Sequence, residues 1–224
     1  MQENQTIENL ARIEADLKGF SARLLPVSKT FPPEKIMEAY LAGYRDFGEN
    51  RVQELLEKKE QLPDDIRWHL IGHLQTNKVK FIAPFVHLIH SVDSEKLLVE
   101  IQKQAERLGR RIQVLLQVQI ADEETKSGWD ADALRHWLAL GSPANFPEVD
   151  FIGLMGMATN TADMEKVRNE FRMLASLKKE FEALKHLPNV RMQELSLGMS
   201  GDFRIALEEG STMVRMGSAV FGSR

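Results

Sequence analysis

Strand signals and helix signals alternate along nearly the whole chain, and that alternation restricts the fold more than any other feature. Short apolar runs fall at Leu24 to Ser28, Tyr44 to Gly48, Arg67 to Gly72, Leu88 to Val92, Gln113 to Ile120, Phe151 to Met157, Glu194 to Leu197 and Met213 to Gly217. Helical patterns lie between them at Pro33 to Ala42, Asn50 to Glu60, Asn77 to Ile82, Ser94 to Leu108, Asp130 to Leu140, Met164 to His186 and Asp202 to Glu209. Regular β-then-α order implies right-handed parallel crossovers, which leaves a closed barrel or an open doubly wound sheet. About eight strands favour an α/β fold of the (β/α)8 TIM type. No G-x-G-x-x-G follows the first strand, which weakens the open dinucleotide-binding alternative.

Local signals agree with this order. Pro33 suits a first helical position, Ser94 and Asp130 suit N-caps, and Gly43, Gly109 and Gly210 follow helix ends. Ile7, Leu10, Ile13 and Leu17 recur at helical spacing before Gly19, so an extra amphipathic helix precedes the first strand. A chain of 224 residues suits one barrel domain, read here as residues 1–224.

Composition narrows the function classes. There is no cysteine, which excludes disulfides, thiolate catalysis and sulfur-built zinc sites, and suits a reducing cytoplasm. The net charge of -4 is spread without a basic stripe, so neither nucleic acid nor an anionic membrane is an expected partner. The opening Met1-Gln2-Glu3-Asn4-Gln5 does not read as a signal peptide, and the longest apolar stretch, Phe151 to Ala158, is too short to span a bilayer.

Lys29 ends the first strand run. Strand side chains alternate, so Leu25, Val27 and Lys29 share a face, and desolvation there favours the neutral, nucleophilic amine that Schiff-base chemistry uses. An ordinary lysine reaching for water is the competing reading. In a barrel the last strand neighbours the first, which brings Arg215 of Met213 to Gly217 beside Lys29. A guanidinium facing inward needs an acceptor, either a structural carboxylate in a buried ion pair or a ligand. The segments Ser196 to Asp202 and Gly217 to Gly222 follow the last two strands, where barrels bind phosphate through free N–H groups. Amine, guanidinium and phosphate cradle together match the needs of pyridoxal 5'-phosphate.

Several segments carry a resemblance to a known family. Val27-Ser28-Lys29-Thr30, Phe47 to Glu54, Trp68 to Lys78, Ser196 to Ser200 and Val214 to Gly217 resemble the pyridoxal phosphate homeostasis protein family, nearly end to end. The resemblance implies an alanine racemase-like barrel lacking the C-terminal β domain, with the cofactor on Lys29, Asn50 near its ring and Arg215 at the ring nitrogen. It places Ser196, Ser200, Gly217 and Ser218 around the phosphate and adds Met199 to the cofactor-binding set. Leu197 departs from the family's usual Met and Ser218 from the common Thr; neither removes a backbone donor.

The implied role is that of a carrier that buffers or delivers the cofactor, with no catalytic residues and with transient partners among apo-enzymes that use pyridoxal phosphate. The sequence shows no long exposed apolar strand or heptad seam, so a monomer is expected. Alanine racemases, which this barrel resembles, take their opposing tyrosine base from a second domain, and the only tyrosines here, Tyr40 and Tyr44, are expected away from the active mouth. The alternatives are a weak racemase or lyase using Lys29, and a class I aldolase. Four-residue spacing of His69 and His73 would suit a metal on a helix, but on a strand it separates them by roughly 13 Å, and no metal site is expected. Glu49-Asn50-Arg51 reads equally as a charged helix start or a ligand contact. The stripe Met164, Val167, Phe171, Leu174, Leu177, Phe181, Leu184 reads as packing.

Overall fold

The computed structural model describes residues 5–122, 127–184 and 186–222. Residues 1–4, read above for targeting signals, Arg224, and Lys185 inside one expected helix lie outside them. Among the described residues eight strands follow in order: β1 (Arg23–Pro26), β2 (Asp46–Glu49), β3 (Arg67–Leu70), β4 (Leu88–Val92), β5 (Ile112–Gln117), β6 (Val149–Met155), β7 (Val190–Ser196) and β8 (Met213–Met216). Every ladder is parallel, in the order β1-β8-β7-β6-β5-β4-β3-β2. A parallel bridge between Val27 and Gly48 joins the two ends, with the Ser28 N–H donating to Gly48 O at 2.9 Å. The sheet thereby closes into a barrel.

The helices are α1 (Gln5–Leu17), α2 (Pro33–Leu41), α3 (Val52–Lys59), α4 (Val79–Ile82), α5 (Glu95–Leu108), α6 (Ala131–Ala139), α7 (Met164–Glu182), α8 (Phe203–Glu208) and α9 (Ser218–Phe221). Their apolar stripes cover the outer face of the sheet. In α7 the expected stripe is core at Val167, Phe171, Leu174, Leu177 and Phe181, while Met164 is exposed. α1 buries Leu10, Ile13 and Leu17, and Asn9 Nδ2 donates to Val220 O at 3.0 Å, tying the first helix to α9. Asp130 caps α6 by accepting from the N–H groups of Asp132 and Ala133, and Gly109 ends α5 in the left-handed region. Ser94 occupies the N-cap position of α5 without a side-chain cap bond.

Boundaries differ where periodicity is weak. β7 starts at Val190, earlier than expected, because exposed Arg191 and Gln193 alternate with buried Val190 and Met192 and make the strand look like a loop. The segment at Asn77 begins as a 3-10 turn, Thr76–Lys78, and another turn, Ser142–Asn145, follows α6 where no element was expected. α9 falls in the segment Gly217 to Gly222, where no helical pattern is expected because four residues carry no helical period.

The barrel interior holds an apolar cluster of Leu25, Leu88, Leu115, Ile152, Met155 and Met213. Gly153 is required where β6 slips register against β7: a Cβ there would lie 1.9 Å from Glu194 O. Gly153→Ala is expected to lower the unfolding free energy by about 3 kcal/mol. Gly201→Ala, with nothing within 4 Å of the new methyl, should stay within about 0.5 kcal/mol of the parent. Equal denaturation midpoints for the two variants would contradict this packing.

His69 and His90 are also buried inside the barrel, and burial pushes both imidazoles below their usual range. The native state therefore holds them neutral, while the unfolded chain takes up protons as pH falls through 6.5. Their contribution is complete above that pH and is lost below it, by up to about 1.4 kcal/mol per pH unit for each histidine. Urea unfolding at about pH 7 and about pH 5 checks this; a flat stability across that window would contradict it.

Candidate functional site

The ladder between β1 and β8 sets Leu25 opposite Arg215 and Pro26 opposite Met216, and the Val27 N–H donates to Met216 O at 2.8 Å. Parallel strands end at the same mouth, so the segment after β1 and the end of β8 meet there. Lys29, Asn50, Met199, Ser200, Arg215, Gly217 and Ser218 line one cavity of about 550 Å3, together with Val27, Phe31, Ile71, Met157 and Gly201. Seven of the eight expected site residues are thus brought together. Ser196 is the exception: it is fully buried and lies beneath Arg215.

Lys29 corrects one expectation. β1 ends at Pro26, and Lys29 sits past it in a turn closed by the Phe31 N–H donating to Ser28 O at 3.0 Å. It is only partly buried, so the full desolvation expected of a strand-end lysine is not reached. Its amine has no hydrogen-bond or ion-pair partner among the described residues. Thr30, next in the turn, is the one non-glycine residue with positive φ among the described residues, at 65°.

What fixes this turn is a buried charge cluster. Lys58 of α3 donates from Nζ to Ser28 O at 2.7 Å, to Glu49 Oε1 at 2.6 Å and to Glu54 Oε1 at 2.7 Å. Ser28 Oγ also donates to Glu49 Oε1 at 2.6 Å, and the Thr30 N–H donates to Glu54. Both neighbours of Lys29 are therefore tied to α3. Burial pushes the Glu49 carboxyl up, against the bonds from Lys58 and Ser28. Sequence reasoning missed Lys58, which reads as an ordinary surface partner of Glu54 one helical turn away. Glu49-Asn50-Arg51 divides: Glu49 joins this cluster, Asn50 lines the cavity, and Arg51 precedes α3 without a side-chain cap bond.

Arg215 is 5% exposed. Its Nη1 donates to Ser196 O and to Ser196 Oγ, both at 2.6 Å, and its Nη2 donates to Gly156 O at 3.0 Å. Among the described residues no carboxylate forms an ion pair with it, so the structural ion-pair alternative is not what holds it. Burial lowers the guanidinium to about 10, still a cation at neutral pH, with Asp202 opposing that shift from nearby. The Nε–H and one Nη2–H have no acceptor among the described residues.

The cavity lining suits a polar ligand with an anionic end. Asn50 Oδ1 is buried without a hydrogen-bond partner. Gly217 packs so closely that a Cβ would lie 3.0 Å from Val27 O, and Gly198, at φ 89°, would place one 2.7 Å from the Ala206 Cβ. The first N–H groups of α9, at Ser218 and Ala219, lie outside its helical hydrogen bonding. Ser200 and Ser218 add exposed hydroxyls. Phe31, Ile71 and Met157 give apolar walls; Ile71 falls within the segment Trp68 to Lys78, while no motif marks Phe31 or Met157.

Other candidates lie elsewhere. His69 faces the barrel interior, whereas exposed His73 lies 3.3 Å from Asp93, so the two do not converge. Tyr40 bonds Asp65 at 2.9 Å and Tyr44 bonds Glu14, and neither lines the cavity.

The family model described as alanine racemase, N-terminal domain, matches residues 2–224. A pyridoxal phosphate homeostasis protein of Aquifex aeolicus is 45% identical over 204 residues, covering 91% of this chain and 87% of that protein. One from Homo sapiens is 39% identical, covering 96% and 81%. The chain belongs to the pyridoxal phosphate homeostasis protein family. PipY of Synechococcus elongatus, solved with pyridoxal phosphate bound, superposes with a TM-score of 0.86 at 37% identity, over 97% of this chain and all of that one. Alanine racemase of Streptomyces lavendulae shares the fold, with a TM-score of 0.75 at 19% identity; the match covers 98% of this chain and 57% of the racemase.

Removing Lys58 leaves Glu49 buried without its cation. Lys58→Met is expected to cost about 3–5 kcal/mol of stability, and adding Glu49→Gln should recover a large part of it. Urea midpoints of the two variants check this; a Lys58→Met midpoint equal to the parent's would contradict the clamp.

Proposed function

We propose that this chain holds pyridoxal 5'-phosphate as a Schiff base on Lys29 and serves vitamin B6 homeostasis as a carrier without robust turnover, its barrel acting as one binding domain. The observation that carries this reading is that two residues line one cavity of about 550 Å3, Lys29 with an amine and Arg215 with two guanidinium donors that have no partner among the described residues. Two findings support it: the family's name, and the cofactor in the related PipY structure.

When bound, the cofactor supplies an aldehyde for an amine and a ring that withdraws electrons. The chain's own residues then have distinct tasks. Lys29 presents its amine from a turn that Lys58 and Glu54 hold at both flanks. Arg215 would offer donors to the ring nitrogen and, as a retained cation, would give up no proton there, which would keep the ring a weaker electron sink. Asn50 Oδ1 is an unused acceptor that would meet a donor of the bound group. Ser200, Ser218 and the N–H groups opening α9 would hold the phosphate, with the close approach at Gly217 making room for it, and Met199 lines the same cavity. Ser196 acts from below, through Arg215.

What does not face the cavity supports the carrier role. Tyr40 and Tyr44 are engaged by Asp65 and Glu14 away from it, so neither supplies an opposing base. Among the described residues no helix is long and apolar enough to cross a membrane. The reading extends to a cytoplasmic monomer that hands the cofactor transiently to enzymes lacking it.

Lys29→Ala is expected to abolish the visible absorption of the protein loaded with pyridoxal phosphate; an unchanged spectrum shows that another residue holds it. Loaded protein incubated with L-amino acids in deuterated water should show negligible Cα exchange. Rapid exchange would instead establish the weak racemase or lyase, and a protein that stays colourless with the cofactor would favour the aldolase reading.

A further inference from the structure

A file of polar side chains crosses the barrel interior from the cavity floor to the opposite mouth. Arg215 on β8 donates to Ser196 Oγ on β7 at 2.6 Å, and Ser196 Oγ lies 3.1 Å from Nδ1 of His90, on β4. His90 Nε2 lies 2.9 Å from Nδ1 of His69 on β3, and His69 Nε2 lies 3.0 Å from Oδ1 of Asp46, the first residue of β2. Ser196, His90 and His69 are 0%, 0% and 1% exposed, so bulk water cannot replace the links among them.

With both imidazoles neutral, as their burial favours, the carboxylate end fixes the direction of every bond. A carboxylate only accepts, so His69 carries its hydrogen on Nε2 and donates to Asp46, leaving its Nδ1 as an acceptor. His90 then carries its hydrogen on Nε2 and donates to His69, and its bare Nδ1 accepts the hydroxyl hydrogen of Ser196. At the other end a guanidinium only donates, so Ser196 Oγ accepts from Arg215. Burial alone would raise Asp46, but hydrogen bonds from His69 and Arg67 more than offset it and hold the carboxyl well below its usual range.

We propose that Asp46, His69, His90 and Ser196 are positioning residues that hold Arg215 through this one-way chain, with Asp46 as its remote counter-charge. The proposal rests on the reading of Arg215 as a ligand of the bound cofactor. A buried guanidinium bonded only to neutral acceptors is costly. A chain polarised by a carboxylate makes Ser196 a stronger acceptor, and it fixes the guanidinium so that its remaining donors face the cavity. The surrounding charges are consistent: Arg67 bonds Asp46 at 2.9 and 2.5 Å, Arg23 pairs with Glu194 at 2.9 Å, and the His87 ring lies 5.3 Å from that of His69. Asp46, His69 and His87 also bring ligand atoms within 4.8 Å of one another, but Arg67 already occupies both Asp46 oxygens, which disfavours a cation there.

The test begins with the whole chain, 15N-labelled and free of cofactor, in long-range 1H–15N correlation spectra at neutral pH. His69 and His90 should both appear neutral with hydrogen on Nε2; an imidazolium, or hydrogen on Nδ1 in either ring, overturns the chain. Titration with pyridoxal phosphate follows. Ser196→Ala and His90→Phe should each weaken binding by about tenfold and shift the absorption maximum of the bound cofactor. Arg67→Gln, which spares every link, should stay within about twofold of the parent. Ser196→Ala removes a single oxygen and decides the matter if His90→Phe does not fold. Parent-like affinity and spectrum in Ser196→Ala overturn the proposal. A parent chain that takes up no pyridoxal phosphate defeats the carrier reading instead, and the tautomers then judge the chain of bonds by themselves.

Discussion

Closure of the parallel sheet at the seam formed by β8, β1 and β2 is the constraint on which the rest depends. Lys29 and Arg215 lie near opposite ends of the chain, and only the β1–β8 ladder, with Leu25 opposite Arg215, brings them to one mouth. The seam is thin on its other side, where β1 and β2 meet through the Val27–Gly48 bridge and the Ser28 bond to Gly48. The buried pairing of Lys58 with Glu49 strengthens it there, since one ammonium joins the residue before Lys29 to the end of β2. Closing the barrel and shaping the site are thus one structural event.

The chain buries two cations near the cavity and satisfies them in contrasting ways. Lys58 spends its three hydrogens on a carbonyl and two carboxylates, a saturated arrangement that serves the fold. Arg215 bonds to two carbonyls and a hydroxyl, with no carboxylate in direct contact among the described residues, and keeps donors in reserve. A group held this way costs stability until a ligand accepts those donors, the usual signature of a binding site. The orphaned Asn50 Oδ1 points to the same conclusion.

Much of this was legible in the sequence, for identifiable reasons. The alternation of apolar runs with capped helices located all eight strands, because each apolar run ends in turn residues. Alternation along β8 put Met213 and Arg215 on the inner face, and Met213 indeed belongs to the interior cluster. Lys29 lines the same cavity as Arg215 although its strand ends earlier, since the turn after Pro26 continues toward the same mouth. What stayed hidden involves contacts between distant segments. Lys58 resembles any helix-surface lysine, and Ser196 resembles any phosphate-loop serine until Arg215 is seen bonded to it. His69 and His90 carry no shared spacing, because neighbouring strands rather than a motif bring them together.

The central claim is that the amine of Lys29 is where pyridoxal phosphate is held. Borohydride reduction of the loaded protein, followed by peptide mapping by mass spectrometry, tests it most directly. The account predicts a single pyridoxyl-phosphate mass increment on the peptide containing Lys29. A tag confined to any other lysine, or no tag on a protein that has bound the cofactor, would contradict it.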